Sequence, residues 1–329
     1  MDFKEYNKVI RADKDYLLFL RNGKDYSKVV RGEGDEPIDY SKEYFFIEDV
    51  SGEENVLTIR KPTARTTYVN VSVSTDKVNW VDLGSTESGD LTYTIPANGK
   101  LYVRGNNTKW SDINGNLRNN SNKMCCSKPH NVCGNIMSLL YGDDFVEVTR
   151  VNDGALSHLF NYNLNLQKAN NLILPATTLG RYCYSFMFYT CTALTTTPKE
   201  LPATTLQGNC YYYMFDGCTS LTTAPALPAT KLSIYCYRGM FNGCASLTTA
   251  PALPATTLST GCYQNMFDGC TELKKVVTYA NDISATDCLN SWLYKVSKIG
   301  DFYNLGTATY NIDSINGIPT GWTEHKTLE

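Results

Sequence analysis

A unit of 26 residues recurs through the middle of the chain and limits the fold more tightly than any other feature. Leu-Pro opens it at Leu174-Pro175, Leu201-Pro202, Leu227-Pro228 and Leu253-Pro254, in steps of 27, 26 and 26 residues. Cys183, Cys210, Cys236 and Cys262 keep those steps, as do Cys191, Cys218, Cys244 and Cys270. A period of this length predicts stacked supersecondary units, because one such unit cannot bury its apolar face alone. Stacks of this kind expose a long regular surface, so the first expectation is a binding protein and not an enzyme.

Within a unit, Cys236, Tyr237, Met240 and Phe241 fall at i, i+1, i+4 and i+5, which predicts one stripe of a short helix. Gly243 is placed to stop that helix at a left-handed cap. Leu247, Ala250 and Ala252 have the spacing of a leucine-rich repeat, predicting a short strand of a parallel sheet. The proline in each such strand cannot donate to a ladder, so the strand must be brief. The expected fold is multidomain: an N-terminal β-hairpin and β-sandwich followed by an α/β leucine-rich-repeat-like solenoid with a C-terminal cap. The solenoid, about four units of 26 residues, is placed at 171–278, and a polar cap with Cys288, Trp292 and Trp322 at 279–329.

Ahead of the repeats, Asn22-Gly23 lies between two strand-like runs over residues 13–31 and predicts a two-residue hairpin turn. Gly32 to Pro37 reads as a hinge, giving a hairpin-and-hinge segment over 1–36. Residues 37–146 read as a β-sandwich of short strands. Among these, Val69, Val71 and Val73 share one face of an alternating run, and Leu57–Ile59, Asn79–Val81, Leu91–Ile95 and Leu101–Val103 supply others. Residues 105–122 read as a long loop, and 147–170 as the connector into the repeats.

The net charge of −3 argues against nucleic-acid and anionic-membrane partners. Residues 1–40 hold 8 Lys/Arg and 9 Asp/Glu, whereas 171–270 hold only 4 and 3. The repeat surface is therefore kept wet by hydroxyls, amides and tyrosines, which suits sugars and protein surfaces. No run approaches the roughly 20 apolar residues of a membrane helix, so no membrane insertion is expected. The first residues, Met1 to Glu5, lack a signal-type apolar stretch, and export by the general secretory route is not expected.

Nine of the twelve cysteines, with Cys288 joining the two columns, are in register with the repeat. They read either as small buried thiols stacking unit on unit or as disulfides between neighbouring coils. Cys125, Cys126, His130 and Cys133 crowd into nine residues without a second knuckle, so a loop with incidental thiols is weighed against a zinc site. His130, His158 and His325 lie in no catalytic context, and Asp143-Asp144 reads as a turn. No catalytic residue, metal or cofactor is expected. The binding candidates are the variable outward positions: Tyr182, Ser185 and Phe186; Asn209, Tyr212 and Tyr213; Tyr235, Arg238 and Gly239; Gly261, Gln264 and Asn265. Exposed aromatic residues with one arginine have the composition of a binding hot spot, and the alternative is rings that cover the edge of the stack.

The run Cys-Tyr-x-x-Met-Phe-x-Gly-Cys-Thr-x-Leu-Thr-Thr-Ala-Pro-Ala-Leu-Pro-Ala-Thr-Thr-Leu resembles the leucine-rich-repeat family of bacteroidal surface antigens. That family occurs in gut Bacteroidetes and in phages that infect them, including crAss-like phages. The likeness spans about Leu172 to Leu273. It extends in outline to Gly134–Asp144, Asp282–Leu289 and Gly317–Trp322, and Tyr44-Phe-Phe-Ile-Glu48 resembles the β domain that precedes such repeats. Residues Ala12–Gly23 resemble the hairpin that fixes phage fibres to the virion. On that likeness Tyr16, Leu18, Leu20, Asn22, Gly23 and Tyr26 are candidate anchor residues. The implied protein is a virion head or tail fibre, assembled in the host cytoplasm and homo-oligomeric, with a trimer favoured. Its N-terminus would meet capsid or tail proteins, and its repeats a host surface glycan or outer-membrane protein. The alternative is a leucine-rich-repeat adhesin on the bacterial cell surface.

Overall fold

The computed structural model describes residues 8–13, 16–21, 24–30, 38–63, 67–111, 121–313 and 315–328. Met1–Asp39 and Tyr40–Glu329 form separate compact units. In the first, β1 (Lys8–Asp13), β2 (Tyr16–Arg21) and β3 (Lys24–Val30) make an antiparallel sheet in that order. Arg21 pairs with Lys24 across β2 and β3. Tyr16, Leu18 and Leu20 fall on β2 and Tyr26 on β3; Asn22, Gly23 and the hinge residues 32–37 lie outside the described residues. β1 is a strand that the sequence reading did not expect.

The second unit begins with nine short strands. They are β4 (Phe46–Asp49), β5 (Asn55–Arg60), β6 (Asn70–Ser74), β7 (Val81–Ser85), β8 (Leu91–Ile95), β9 (Lys100–Arg104), β10 (Lys123–Cys126), β11 (His130–Asn135) and β12 (Leu166–Ile173). They form a three-stranded sheet ordered β10-β5-β8 and a six-stranded sheet ordered β12-β11-β4-β9-β6-β7. Alternation drives the burial: Leu57 and Ile59 from one sheet and Val71, Val73, Leu101 and Val103 from the other enter one core, joined by Val69 just ahead of β6. β12 falls within the segment read as a connector, and pairs in parallel with β11. The helix α1 (Ser138–Tyr141) and a 3-10 turn at Gly142–Asp144 follow β11, and residues 112–120 of the expected long loop lie outside the described residues.

The expected α/β leucine-rich-repeat-like solenoid is not found. The protein is mostly β, with 28% strand and 3% helix, and the single short α-helix among the described residues lies outside the repeats. Between residues 174 and 273 the chain forms turns and isolated bridges, with neither helix nor continuous strand. The physical reason is in the backbone. Tyr182, Phe186 and Thr190 are left-handed, with φ of 56, 55 and 57°. So are Asn209, Tyr213 and Gly217, then Tyr235, Gly239 and Gly243, then Gly261, Asn265 and Gly269. A left-handed residue at every fourth position breaks the ladder of bonds to the fourth residue back that an α-helix needs. Tyr, Phe, Cys, Asn and Gly are also weak helix formers. Gly243, expected as the stop of a helix, is one of these left-handed positions.

Hydrogen bonding alternates instead. The N–H groups of Asn209, Tyr211, Tyr213, Phe215 and Gly217 donate to carbonyls of the next unit, at Ile234, Cys236, Arg238, Met240 and Asn242. Those of Cys210, Tyr212, Met214, Asp216 and Cys218 donate three residues back within their own unit. The expected strand is likewise reduced to single parallel bridges such as Thr249 with Lys275 and Leu253 with Thr278, and Ala252 is exposed where its spacing predicted burial. The same turn occurs twice more, around Gly154, His158 and Tyr162 and around Asp287, Ser291 and Lys295. The second copy lies in the segment expected as a polar cap. That segment also carries β14 (Gly300–Asn304) and β15 (Trp322–His325), which form a parallel sheet with β13 (Lys275–Thr278) from the last residues of the expected solenoid.

A repeat of four along the turn sends Cys183, Tyr184, Met187, Phe188 and Cys191, and their equivalents, into the interior. Units in register then stack like on like. Phe188, Phe215, Phe241 and Phe267 have ring separations of 5.2, 5.6 and 5.6 Å. Tyr184, Tyr211, Tyr237, Tyr263 and Trp292 follow at 5.8, 5.6, 6.1 and 6.4 Å. Offset-stacked rings contribute about 0.5–1.5 kcal/mol per pair beyond the area they bury. The thiols of Cys191, Cys218, Cys244 and Cys270 each donate to the carbonyl of a phenylalanine one unit back, at 3.1, 3.1, 3.2 and 3.0 Å. Burial keeps these thiols protonated and pushes Cys191 up to about 12. All twelve cysteines are free, and Cys125 alone is not buried.

Two measurements check this packing. Under native conditions a neutral alkylating reagent modifies one thiol rapidly, and after unfolding all twelve react. Tyr211→Phe leaves stability unchanged or raises it by about 1 kcal/mol, read by denaturant unfolding, because the buried Tyr211 hydroxyl has no hydrogen-bond partner.

Candidate functional site

The left-handed turn sends two side chains in every four into the core, and among the others of the first repeats Tyr182, Phe186, Tyr212 and Tyr213 are half-buried aromatic residues. Left-handed φ in a bulky non-glycine residue is uncommon and costs about 1–2 kcal/mol. Tyr182, Phe186, Tyr213 and Tyr235 all adopt it, whereas other repeats carry Asn209, Gly239, Gly261 and Asn265 at the equivalent positions. Strain retained at aromatic side chains along one face is the kind of outlier that marks a functional surface.

Phe186 is the centre of this face. Its ring stacks on His158 at 4.7 Å and on Tyr213 at 5.7 Å. It meets Tyr189 and Tyr212 edge-on at 5.5 and 5.3 Å. Tyr212 and Tyr213 are themselves edge to face at 4.5 Å. The Arg238 guanidinium lies 5.7 Å over the Tyr212 ring and 5.2 Å over the Tyr235 ring, and its Nε is buried without a hydrogen-bond partner. Flat cation and ring faces held this way are worth about 0.5–2 kcal/mol each. Partial burial and neighbouring tyrosines raise the Tyr212 hydroxyl above its ordinary pKa, so it stays neutral.

Of the expected candidates, Tyr182, Phe186, Tyr212, Tyr213, Tyr235 and Arg238 are all half-buried. Five of them are gathered by the ring and cation contacts above, while Tyr182 lies at the edge of the group. Ser185 is not outward: it is buried and hydrogen-bonded to Ser157 at 2.9 Å. Asn209 is buried too. Gly239 and Gly261 lie beneath rings, since a Cβ on either would approach within 2.3 Å of Tyr213 and 2.2 Å of Tyr235. Gln264 and Asn265 are half-buried in a later repeat. Sequence reasoning missed His158, Tyr162 and Tyr189. The signal was present in Ala155-Leu156 and Leu159-Phe160, which repeat the i, i+1, i+4, i+5 pattern without its cysteines.

The cysteine and histidine cluster has structural roles. Cys125 and Cys126 point to opposite faces of β10. His130 Nδ1 donates to the Lys128 carbonyl at 3.0 Å, and its Nε2 accepts from Asn163 at 3.0 Å. Burial holds its pKa down at about 4. His158 accepts from the Asn161 amide at 2.6 Å and is held down at about 3 by burial. No group of three or more potential metal ligands occurs among the described residues. Asp143 of the turn Asp143-Asp144 pairs with Arg104 and accepts from the Tyr44 hydroxyl at 2.9 Å. Among the described residues no helix is long and apolar enough to cross a membrane.

Compared with family models, curated proteins and solved structures, the chain matches none.

The two histidines set an acid limit. Both are buried neutral, so folded pKa values near 4 and 3 lie below the ordinary 6.5. The unfolded chain then binds more protons, and stability is full above pH 6.5 and lost as pH falls towards the folded values. Each histidine contributes a slope of about 1.4 kcal/mol per pH unit in that window. Denaturant unfolding between pH 7 and 4.5 reads the slope, and His158→Phe, which keeps a ring against Phe186, lowers it by about half.

Proposed function

We propose that the chain is a phage virion structural protein, a head or tail fibre or appendage, that binds the host cell surface. Its N-terminal segment attaches to capsid or tail proteins, and the aromatic face of its repeats meets a host surface glycan or outer-membrane protein. The observation that carries the reading is the strained row of Phe186, Tyr213 and Tyr235 with Arg238 between rings, on a surface otherwise poor in charge. Rings of this kind offer broad apolar faces with polar edges at small entropic cost, as sugar and protein recognition require. The separate unit Met1–Asp39, on which the fibre-like run Ala12–Gly23 falls, supports attachment through the N-terminus. The sequence resemblance to repeats found in Bacteroidetes and their phages points the same way.

Binding alone is the mechanism. A homo-oligomer, a trimer by analogy with fibres, multiplies weak contacts by roughly 10²–10⁴ where its geometry lets several engage at once.

The test uses purified full-length chain and a panel of gut Bacteroidetes strains of different capsule type. Fluorescent protein binds some strains and not others. Tyr212→Ala with Arg238→Ala lowers binding by roughly tenfold or more while the protein stays folded by its melting transition. Absence of binding to every strain, or equal binding by the double variant, contradicts the reading.

A further inference from the structure

Arg238 is a half-buried cation with no acceptor in the protein. Its guanidinium makes no hydrogen bond to any described residue, and no described carboxylate pairs with it. The Nε is closed to solvent, whereas the two terminal nitrogens are not. Rings hold the group in place: it lies 5.7 Å from the centre of the Tyr212 ring and 5.2 Å from that of Tyr235. A charge drawn half out of water without a counter-charge costs free energy, and ring faces offset only part of that cost. The repeats hold little acid to balance it, since residues 171–270 contain 3 Asp/Glu.

Four phenols surround this cation. Burial raises the Tyr212 hydroxyl above its ordinary pKa, the Arg238 charge opposes that rise, and Tyr213, Tyr182 and Tyr235 add to it, so the five groups act on one another at short range. None of the four hydroxyls bonds to a described residue, and none is closed to solvent. Each is free to donate one hydrogen bond and to accept others.

These groups select a ligand by its chemistry. With Nε closed, the open approach is end-on, where the two terminal nitrogens offer parallel N–H groups to the two oxygens of a carboxylate. One guanidinium balances one negative charge, which suits a carboxylate better than a phosphate group carrying nearly two. Phenol hydroxyls on the flanks call for further hydroxyls beside that carboxylate. A uronic acid carries them on its ring, and an acidic side chain of a protein does not. We infer that Arg238, with Tyr182, Tyr212, Tyr213 and Tyr235 around it, binds a carboxylate-bearing sugar residue of an acidic glycan. The inference deepens the host-binding reading and rests on it for its biological setting; the chemistry stands on the open guanidinium and phenols.

The probes are methyl glucuronide, methyl glucoside and acetylglutamate amide, at equal concentration against the full-length chain. Saturation-transfer NMR reads binding of each. In a chain labelled with nitrogen-15 arginine, the Arg238 Nε–H signal, assigned by its loss in Arg238→Lys, reads the place. Methyl glucuronide gives saturation transfer and shifts that signal saturably. The glucoside does neither, and acetylglutamate amide, which has the carboxylate without the hydroxyls, acts roughly tenfold more weakly. Arg238→Lys keeps the charge and loses the paired N–H groups; Tyr212→Phe with Tyr235→Phe keeps the rings and loses the hydroxyls. Each weakens glucuronide binding by roughly tenfold while the melting transition is retained. No response to glucuronide, an equal response to the glucoside or to acetylglutamate amide, or full affinity in either variant overturns the inference. A glucuronide response in a chain that binds no strain removes the host-binding reading and leaves the site. Strain binding without a glucuronide response removes the site alone.

Discussion

Every second amide of the repeat turn is committed to the neighbouring unit, and the rest of the structure depends on that division. The amides of Tyr211, Tyr213 and Phe215 have no carbonyl within their own unit, so a single unit leaves half its donors unsatisfied. A buried, unpartnered amide costs about 1–3 kcal/mol. Stacking is therefore obligatory, and register follows from the bonds themselves. Side chains then fall in straight columns, which is why phenylalanine meets phenylalanine and each Cys218-type thiol meets a carbonyl of the unit before it.

Left-handed backbone is the cost of this arrangement, and it is distributed unevenly between glycine and other residues along the stack. In one left-handed column Gly217, Gly243 and Gly269 carry no strain, whereas Tyr162, Thr190 and Lys295 bear it at the two ends. The column of His158, Phe186 and Tyr213 continues through Gly239, Asn265 and Ser291, and Tyr235 lies over Gly261. Glycine there both relieves the backbone and leaves room for the ring of the previous unit. Outward aromatic side chains are thus concentrated from Tyr182 to Tyr235, and the Arg238 guanidinium lies over the rings of Tyr212 and Tyr235. The rings cover one another and the edge of the stack while presenting an aromatic, weakly charged surface, so the residues proposed to bind also pack the stack.

The sheets were legible where alternation is strict. Val69, Val71 and Val73 and the pair Leu57 and Ile59 are buried as their period of two requires. The repeat length and the buried positions Cys236, Tyr237, Met240 and Phe241 were legible too, but the conformation that buries them was not. Over five residues a period of four and a period of 3.6 select the same positions. Extending the comparison to Cys244, at i+8, separates them: a helix would turn it about 80° away from Cys236, and the chain keeps both fully buried. Local pattern was also silent on where amides find partners when those lie 25 to 28 residues away. The outer copies at 154–162 and 287–295 were missed because the cysteine and Leu-Pro signature fades there while the burial pattern persists. Of the proposed binding face, the half-buried aromatic positions were legible from their variability, whereas the inward turn of Ser185 and Asn209 depends on the left-handed residues beside them.

The central claim is that the repeats are joined by alternating amide bonds and contain no helix. Scalar couplings across hydrogen bonds, measured by NMR on the isotope-labelled full-length chain, test it most directly. Couplings from the amide nitrogens of Tyr211, Tyr213 and Phe215 to the carbonyl carbons of Cys236, Arg238 and Met240 are the predicted result. Couplings from those nitrogens to carbonyls four residues earlier in the same unit would contradict the account.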